Sequence, residues 1–353
     1  MSIKELETPA LIVDLDAMQR NMARVDEILS GTSMTLYPHY KSHKCPEIAK
    51  LQMENGAGGI TCAKLGEAID LCSAGIPNVV IANQVVQKEK MPKLAMLANK
   101  CHLTVCVDSE DNVLALESAM AREGGSLFVL VEYDVGMKRC GVEAFDAFLA
   151  LARLVQAQPH LCFEGIQAYA GHLSHEEDSN KRYCEIQKIE KTVSDLKKYC
   201  EENGLYVKEV CGGSTGFSKD KPRNTVYTQA QFGSYLFLDR SFLPLGLDFE
   251  QALFVETTVV SVKPDRIVVD CGVKTMTMDQ YPPYFPDFPN AILNFSEEHT
   301  TVFVENSNLK IGDRLRYIPG HCCTTINTFD KLAAVRAEDV IAIWDITSRG
   351  KAQ

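Results

Sequence analysis

The chain lacks any apolar run approaching the roughly 20 residues that a membrane-spanning helix requires, so no membrane segment is expected. Its first residues, MSIKELETPA, lack the charged and apolar regions of a secretory signal. Positive charge is in deficit, with 36 basic residues against 47 acidic ones and a net charge of -11. That balance argues against nucleic acid as a main partner. The excess is spread along the chain and needs no role beyond solubility. No CxxC pair occurs, which excludes a thioredoxin-like motif and a zinc site built from such pairs. Internal repeats, low-complexity tracts and long linkers are also missing.

What remains is a chain of 353 residues, 46% hydrophobic, long enough for two domains and a large core. Its 13 cysteines are odd in number, and Cys62, Cys72, Cys106 and Cys162 lie inside apolar runs. Reduced, buried thiols have this pattern, and it predicts a cytoplasmic enzyme.

Strand-like runs alternate with helical patterns through the first two thirds. The strand candidates are Thr35–Tyr37, Gly59–Cys62, Val79–Ala82, Leu103–Val107, Leu127–Tyr133, Phe163–Tyr169, Glu209–Cys211 and Ser234–Leu238. Between most of them lie helical stretches. In one, Phe148, Leu151, Ala152 and Val155 repeat at the spacing of a buried helical face. Eight strands with intervening helices predict a (β/α)8 barrel. Beyond about residue 245 the pattern becomes β-rich, with Phe254–Val262 and Arg266–Asp270 around a hairpin signal, then Thr300–Val304, Arg314–Ile318 and Val340–Trp344. The expectation is an α/β chain: an N-terminal TIM-type barrel over 15–243 and an all-β domain from 1–14 plus 244–353. The early strand Ala10–Asp14 is assigned to the second domain.

The string Pro38-His39-Tyr40-Lys41-Ser42-His43-Lys44 closes the first barrel strand. A lysine in a loop is ordinarily solvated. At the end of a buried strand, a desolvated amine becomes a nucleophile suited to a Schiff base with a carbonyl or with pyridoxal phosphate. His39 shares a face with Lys41 if the strand continues, and Lys44 is the alternative lysine. After the seventh strand, Gly212, Gly213, Ser214 and Thr215 form either an ordinary turn or a phosphate cradle. Arg139, between Gly136 and Gly141, can bond an anionic cofactor oxygen or make a surface ion pair. Tyr169 ends the sixth strand, where it can contact a cofactor ring or simply pack. In Pro319-Gly320-His321-Cys322-Cys323, His321 and Cys323 project to one side of an extended segment. Two ligands are too few for a structural zinc site but suit a catalytic ion, and the thiolate favours Zn²⁺ over Mg²⁺. The plainer reading is a loop histidine beside two buried thiols.

In this order the motifs resemble the fold-type III pyridoxal-phosphate enzymes related to alanine racemase. The nearest branch is the metal-activated D-threonine aldolase, 3-hydroxy-D-aspartate aldolase and D-serine dehydratase group. The resemblance runs from Thr8-Pro9-Ala10 to the His-x-Cys segment, with PHYKSHKCP and Asp134-x-Gly-Met-x-Arg139 as its specific markers. It implies that Lys41 carries pyridoxal 5'-phosphate and that Arg139 bonds its phenolate oxygen. It also implies that Tyr169 lies near the pyridine ring, and that Gly212, Gly213, Ser214 and Thr215 surround the phosphate with Tyr235 nearby. His321 and Cys323 would hold a divalent metal (Zn²⁺, Mn²⁺ or Mg²⁺), and a homodimer is implied. The expected substrate is a small β-hydroxy-D-amino acid, cleaved to glycine and an aldehyde or glyoxylate, with Lys41 and His39 catalytic. The alternative is dehydration to a keto acid and ammonia. Aldolases of the group usually present His-x-Asp to the metal and dehydratases His-x-Cys, whereas this chain sets His-x-Cys within an otherwise aldolase-like segment.

Overall fold

The computed structural model describes residues 1–220 and 225–353. Two compact units emerge. One comprises Met1–Val25, Ser42–Cys45 and Ser234–Gly350; the other comprises Asp26–Lys41, Pro46–Gly233 and Lys351–Gln353. The strands in chain order begin with β1 (Ala10–Asp14), β2 (Thr35–Leu36), β3 (Ile60–Cys62), β4 (Asn78–Gln84), β5 (His102–Val107) and β6 (Leu127–Glu132). They continue with β7 (Leu161–Ala168), β8 (Glu209–Gly212), β9 (Gln229–Ala230), β10 (Leu253–Lys263) and β11 (Arg266–Val269). The last are β12 (Ile292–Phe295), β13 (Thr300–Phe303), β14 (Arg314–Tyr317), β15 (Lys331–Arg336) and β16 (Asp339–Asp345).

Strands β2 to β9 form one all-parallel sheet in the order β2-β9-β8-β7-β6-β5-β4-β3. Its ends meet through a parallel bridge between His39 and Thr61, with Thr61 N–H donating to the Pro38 carbonyl at 3.0 Å. The ring is therefore closed, as a (β/α)8 barrel requires. The helices between the strands follow the sequence pattern closely: Pro46–Glu54, Leu65–Ser73, Met91–Ala98, Glu110–Glu123, Phe145–Gln156 and Ser179–Glu202. Phe145–Gln156 buries Phe148, Leu151, Ala152 and Val155. Asp178 caps the last helix by accepting from the Asn180 and Lys181 amides at 3.0 Å.

The final barrel strand differs from the expectation. Tyr235–Leu238 is buried, but Ser234–Leu236 is a 3-10 turn, and the Phe237 and Leu238 amides return to the Ser234 carbonyl. Gln229–Ala230 takes the strand position instead, paired with both β8 and β2. A short apolar run does not distinguish a strand from a buried turn, and a two-residue strand has no periodicity to detect.

The other unit carries the second sheet, in the order β12-β13-β11-β10-β1-β15-β16, with β14 also paired to β10. β1 joins it antiparallel to β10 and parallel to β15. Glu256 and Arg316, directly opposite across β10 and β14, bond at 2.8 Å and help fix that register. Strands β12 and β15 were not among the expected ones. The cysteine reading needs one correction. Cys72 and Cys101 form a disulfide with Cα atoms 6.4 Å apart, because the end of helix Leu65–Ser73 meets the turn before β5. The remaining cysteines are free thiols.

Within the barrel, Glu164 on β7 is nearly buried and accepts from Thr104 at 3.0 Å and Lys208 at 3.3 Å, with His102 also at 3.3 Å. Burial pushes its carboxyl pKa up, but His102, Thr104 and Lys208 outweigh burial and leave it below the usual value. A depressed folded pKa contributes stability above the unfolded pKa and loses it as pH falls through the folded value. Glu164→Gln is expected to cost about 2 kcal/mol at pH 7. The gap from wild type should narrow as pH drops below about 4. Urea melts at the two pH values check this, and a gap independent of pH would contradict it.

Candidate active site

The C-terminal ends of the barrel strands assemble one site. Beyond β2 the chain keeps pairing, with the Tyr37 amide donating to Ala230 at 2.9 Å and the His39 amide to Phe232 at 2.8 Å. Extended pairing then stops, and Tyr40–Ser42 forms a 3-10 turn. His39 and Lys41 are thus not successive residues on one strand face. The turn nevertheless brings both into the same cavity. Tyr40 is fully buried, and its hydroxyl donates to Asp70 at 3.2 Å. Lys351 bonds the other oxygen of Asp70 at 3.0 Å. The residue preceding Lys41 is therefore anchored to a carboxylate that Lys351 itself holds.

The cavity measures about 160 Å³ and is lined by His39, Lys41, Asn83, Arg139, Gln167, Tyr169 and Gln231, among others. Lys41 Nζ lies 5.8 Å from the centroid of the Tyr169 ring, and Arg139 Cζ lies 5.5 Å from the same ring. Two cations on one aromatic, at the mouth of a barrel, make a setting for a flat anionic ligand. Arg139 faces Glu132 at 3.7 Å. Burial pushes the Glu132 carboxyl up, partly offset by Gln84, which donates at 2.5 Å, and by Arg139. Beneath these groups, Gln167 and Gln231 exchange amide hydrogen bonds of 2.8 and 3.1 Å and satisfy each other while buried. Asp134 shapes the loop that carries Arg139 by accepting from the Gly136 amide at 2.9 Å and the Lys138 amide at 3.1 Å.

Gly212 ends β8, and Gly213 follows in the left-handed region at φ +83°. A Cβ on Gly212 would lie 2.4 Å from the Ala168 carbonyl oxygen, so the turn cannot carry a side chain there. Ser214 and Thr215 are buried, and the Ser214 hydroxyl accepts from the Gly216 amide at 3.3 Å. Beside them, the hydroxyls of Ser174 and Ser218 are buried with no hydrogen-bond partner among the described residues. An orphaned buried hydroxyl costs about 1–3 kcal/mol. A phosphate would relieve that cost, so the turn fits such a group.

The second unit holds His321 and Cys323, but not on the expected extended segment: His321 is extended and caps the short helix Cys322–Ile326, in which Cys323 lies. The Cys323 side chain is hydrogen-bonded to the imidazole, and His321 Nδ1 lies 2.7 Å from Asp279 Oδ2. Burial lowers the His321 pKa, but Cys323 and Asp279 outweigh it and hold the imidazole at about 9. The surroundings therefore stabilise positive charge. An imidazole and a thiol in contact, in an anionic field, fit a borderline-soft divalent ion. No group of three or more His, Cys, Asp or Glu side chains able to hold an ion occurs among the described residues. Asp239, buried, accepts from the Cys322 amide at 2.5 Å and fixes the segment's backbone. Tyr235 lies in this unit, fully buried and 6.1 Å from the Phe249 ring. Lys44 also lies here, in a left-handed conformation at φ 51°.

Three residues escaped the sequence reading. Gln231 follows a strand too short to show a pattern. Asn83 gave no signal. Asp279 sits in a proline-rich segment 42 positions before His321.

The alanine racemase N-terminal domain profile matches residues 13–241, and the serine dehydratase domain profile matches residues 252–335. The chain belongs to the alanine racemase N-terminal domain family. Similar members include a D-threonine aldolase from Arthrobacter sp, 35% identical over 99% of this chain and 94% of that protein. A 3-hydroxy-D-aspartate aldolase from Paracoccus denitrificans is 34% identical with the same coverage. The crystal structure of D-threonine aldolase from Filomicrobium marinum superposes with a TM-score of 0.96 at 35% identity, covering 100% of this chain and 98% of that one. A cysteine-to-alanine variant of D-threo-3-hydroxyaspartate dehydratase, in a metal-free form, superposes with a TM-score of 0.87 at 25% identity and covers 98% of both chains. For this family member, the cavity offers a nucleophilic amine, an aromatic platform and a guanidinium, and the second unit offers an imidazole–thiol pair.

Proposed function

We propose that this chain is a pyridoxal-phosphate-dependent, divalent-metal-activated lyase. In this reading it cleaves β-hydroxy-D-amino acids of the D-threonine or 3-hydroxy-D-aspartate type to glycine and an aldehyde or glyoxylate. The observation that carries the reading is Lys41 at the C-terminal mouth of the barrel, sharing the Tyr169 ring with Arg139. Full-length similarity near 35% to two aldolases supports the reaction type. The barrel, residues 15–243, would bind the cofactor; the β domain, residues 1–14 with 244–353, would carry the metal ligands.

Bound pyridoxal phosphate supplies an electron sink for breaking the Cα–Cβ bond. A bound divalent ion supplies Lewis acidity toward the substrate hydroxyl. The protein's own residues do the rest. Lys41 Nζ is the amine that would hold the cofactor. Arg139 would donate to the cofactor's phenolate oxygen, with Glu132 at 3.7 Å as its partner on the protein side. Tyr169 would pack against the cofactor ring, and Gly212, Gly213, Ser214 and Thr215 would cradle its phosphate. His321 and Cys323 would ligate the ion. His39 Nδ1 accepts the Lys41 amide at 3.3 Å, which places the neutral ring's proton on Nε2. His39 then donates a hydrogen bond to a substrate or cofactor oxygen. It acts as a base at Nε2 only after giving up the Lys41 amide.

Dehydration is the second reading, favoured by one observation: the pair is imidazole and thiol, and the metal-free cysteine variant above belongs to a dehydratase. Products separate the two. Incubation with D-threonine, D-serine and 3-hydroxy-D-aspartate, with and without Zn²⁺ or Mn²⁺, is expected to release glycine with acetaldehyde or glyoxylate in a metal-dependent way. Ammonia with a keto acid in place of glycine would transfer the assignment to the dehydratase. The proposal includes a homodimer, which the family resemblance supports, and a cytoplasmic site, which the free thiols outside Cys72–Cys101 support. No helix among the described residues is long and apolar enough to cross a membrane.

A further inference from the structure

The His321–Cys323 pair has a third participant with no counterpart in the sequence motif. Asp279 Oδ2 lies 2.7 Å from His321 Nδ1, close enough for a charge-assisted hydrogen bond. The other oxygen, Oδ1, accepts from Thr324 Oγ1 at 2.8 Å. Thr324 Oγ1 in turn meets Thr277 Oγ1 at 2.5 Å, and Thr277 meets Thr325 at 3.2 Å. Besides His321, the carboxylate is therefore held by the hydroxyl of Thr324, on the short helix Cys322–Ile326 that begins at the pair, and Thr277 from its own segment steadies Thr324.

An imidazole that donates from Nδ1 to a carboxylate has its lone pair on Nε2. Such a partner fixes the ring's rotation and raises its basicity as a ligand. We propose that Asp279 is the positioning residue of the cation site: it locks His321 in the tautomer that offers Nε2 to the ion, and Thr324 locks Asp279. The inference rests on the reading that His321 and Cys323 hold a divalent ion. It also bears on the unusual donor pair of this chain. Where related aldolases are expected to place a carboxylate on the ion at the second ligand position, this chain places a thiol there and sets a carboxylate behind the histidine.

The test uses the purified holoenzyme and measures its Zn²⁺ dissociation constant by competition with a chromogenic chelator. Asp279→Ala is expected to weaken Zn²⁺ binding by roughly 10–100-fold. Asp279→Asn, which keeps an acceptor oxygen but loses the charge, should fall between that variant and wild type. Thr324→Val should move affinity in the same direction by a smaller factor. In cobalt-loaded protein, the visible bands of Asp279→Ala should shift while melting of the metal-free protein stays at the wild-type temperature. A purely structural residue would alter melting and leave the bands alone. His321→Ala separates the two layers of argument. If it binds Zn²⁺ like wild type, the metal reading itself is wrong. If it loses Zn²⁺ while both Asp279 variants stay within about twofold of wild type, the positioning role is overturned.

Discussion

Lys41→Ala is expected to remove the visible absorbance of the lysine-bound cofactor and to lower turnover by more than about 1,000-fold. Among the described residues that line the cavity there is no second lysine, so none duplicates its chemistry. Lys41→Arg should fail equally, because a guanidinium stays protonated and is not a nucleophile near neutral pH. Neither change should unfold the chain, because Tyr40 carries the buried anchor to Asp70 through its own hydroxyl. Absorbance spectra and borohydride trapping of purified variants check the prediction. Covalent cofactor retained in Lys41→Ala would move the assignment to Lys44. The geometry speaks for Lys41, since it is the lysine that lines the cavity, whereas Lys44 adopts a left-handed backbone at φ 51°.

How much of this was legible in the sequence depended on the length of the signal. Helix Ser179–Glu202 and helix Phe145–Gln156 were readable because several turns of amphipathic spacing accumulate. Strand β9 was not, because two residues pair through backbone alone and leave no trace in side-chain pattern. The Ser234–Leu236 turn misled because burial, not extension, made that run apolar. Lys41, Arg139 and Tyr169, which line the cavity, were legible because each follows a strand within a distinctive motif. Gln231 and Asp279 were not, since their roles come from partners 64 and 42 positions away. The Cys72–Cys101 pairing belongs to the same class, because helix packing rather than local spacing brings the two thiols together.

Cys323→Ala is expected to lose the metal and most lyase activity while keeping the cofactor spectrum intact. Removing a ligand should weaken Zn²⁺ binding beyond the roughly 100-fold upper range for loss of an outer partner. Cys323 contributes to the field that holds the His321 pKa at about 9, so its removal also weakens the attraction for any cation there. Metal content of the dialysed variant, measured beside its visible spectrum, reads both effects. An unchanged rate and metal content would reduce Cys323 to a packing residue. The converse change, Cys323→Asp, installs the carboxylate expected of aldolases in this group. Hard oxygen donors favour Mn²⁺ and Mg²⁺, whereas thiolates favour Zn²⁺. The aspartate variant should therefore keep an ion, with its preference moved toward Mn²⁺. Its products then say which ligand set serves which bond. Glycine release from both forms would mean that the barrel cavity, rather than the thiol, selects Cα–Cβ cleavage. Keto acid from the cysteine form and glycine from the aspartate form would assign that choice to position 323.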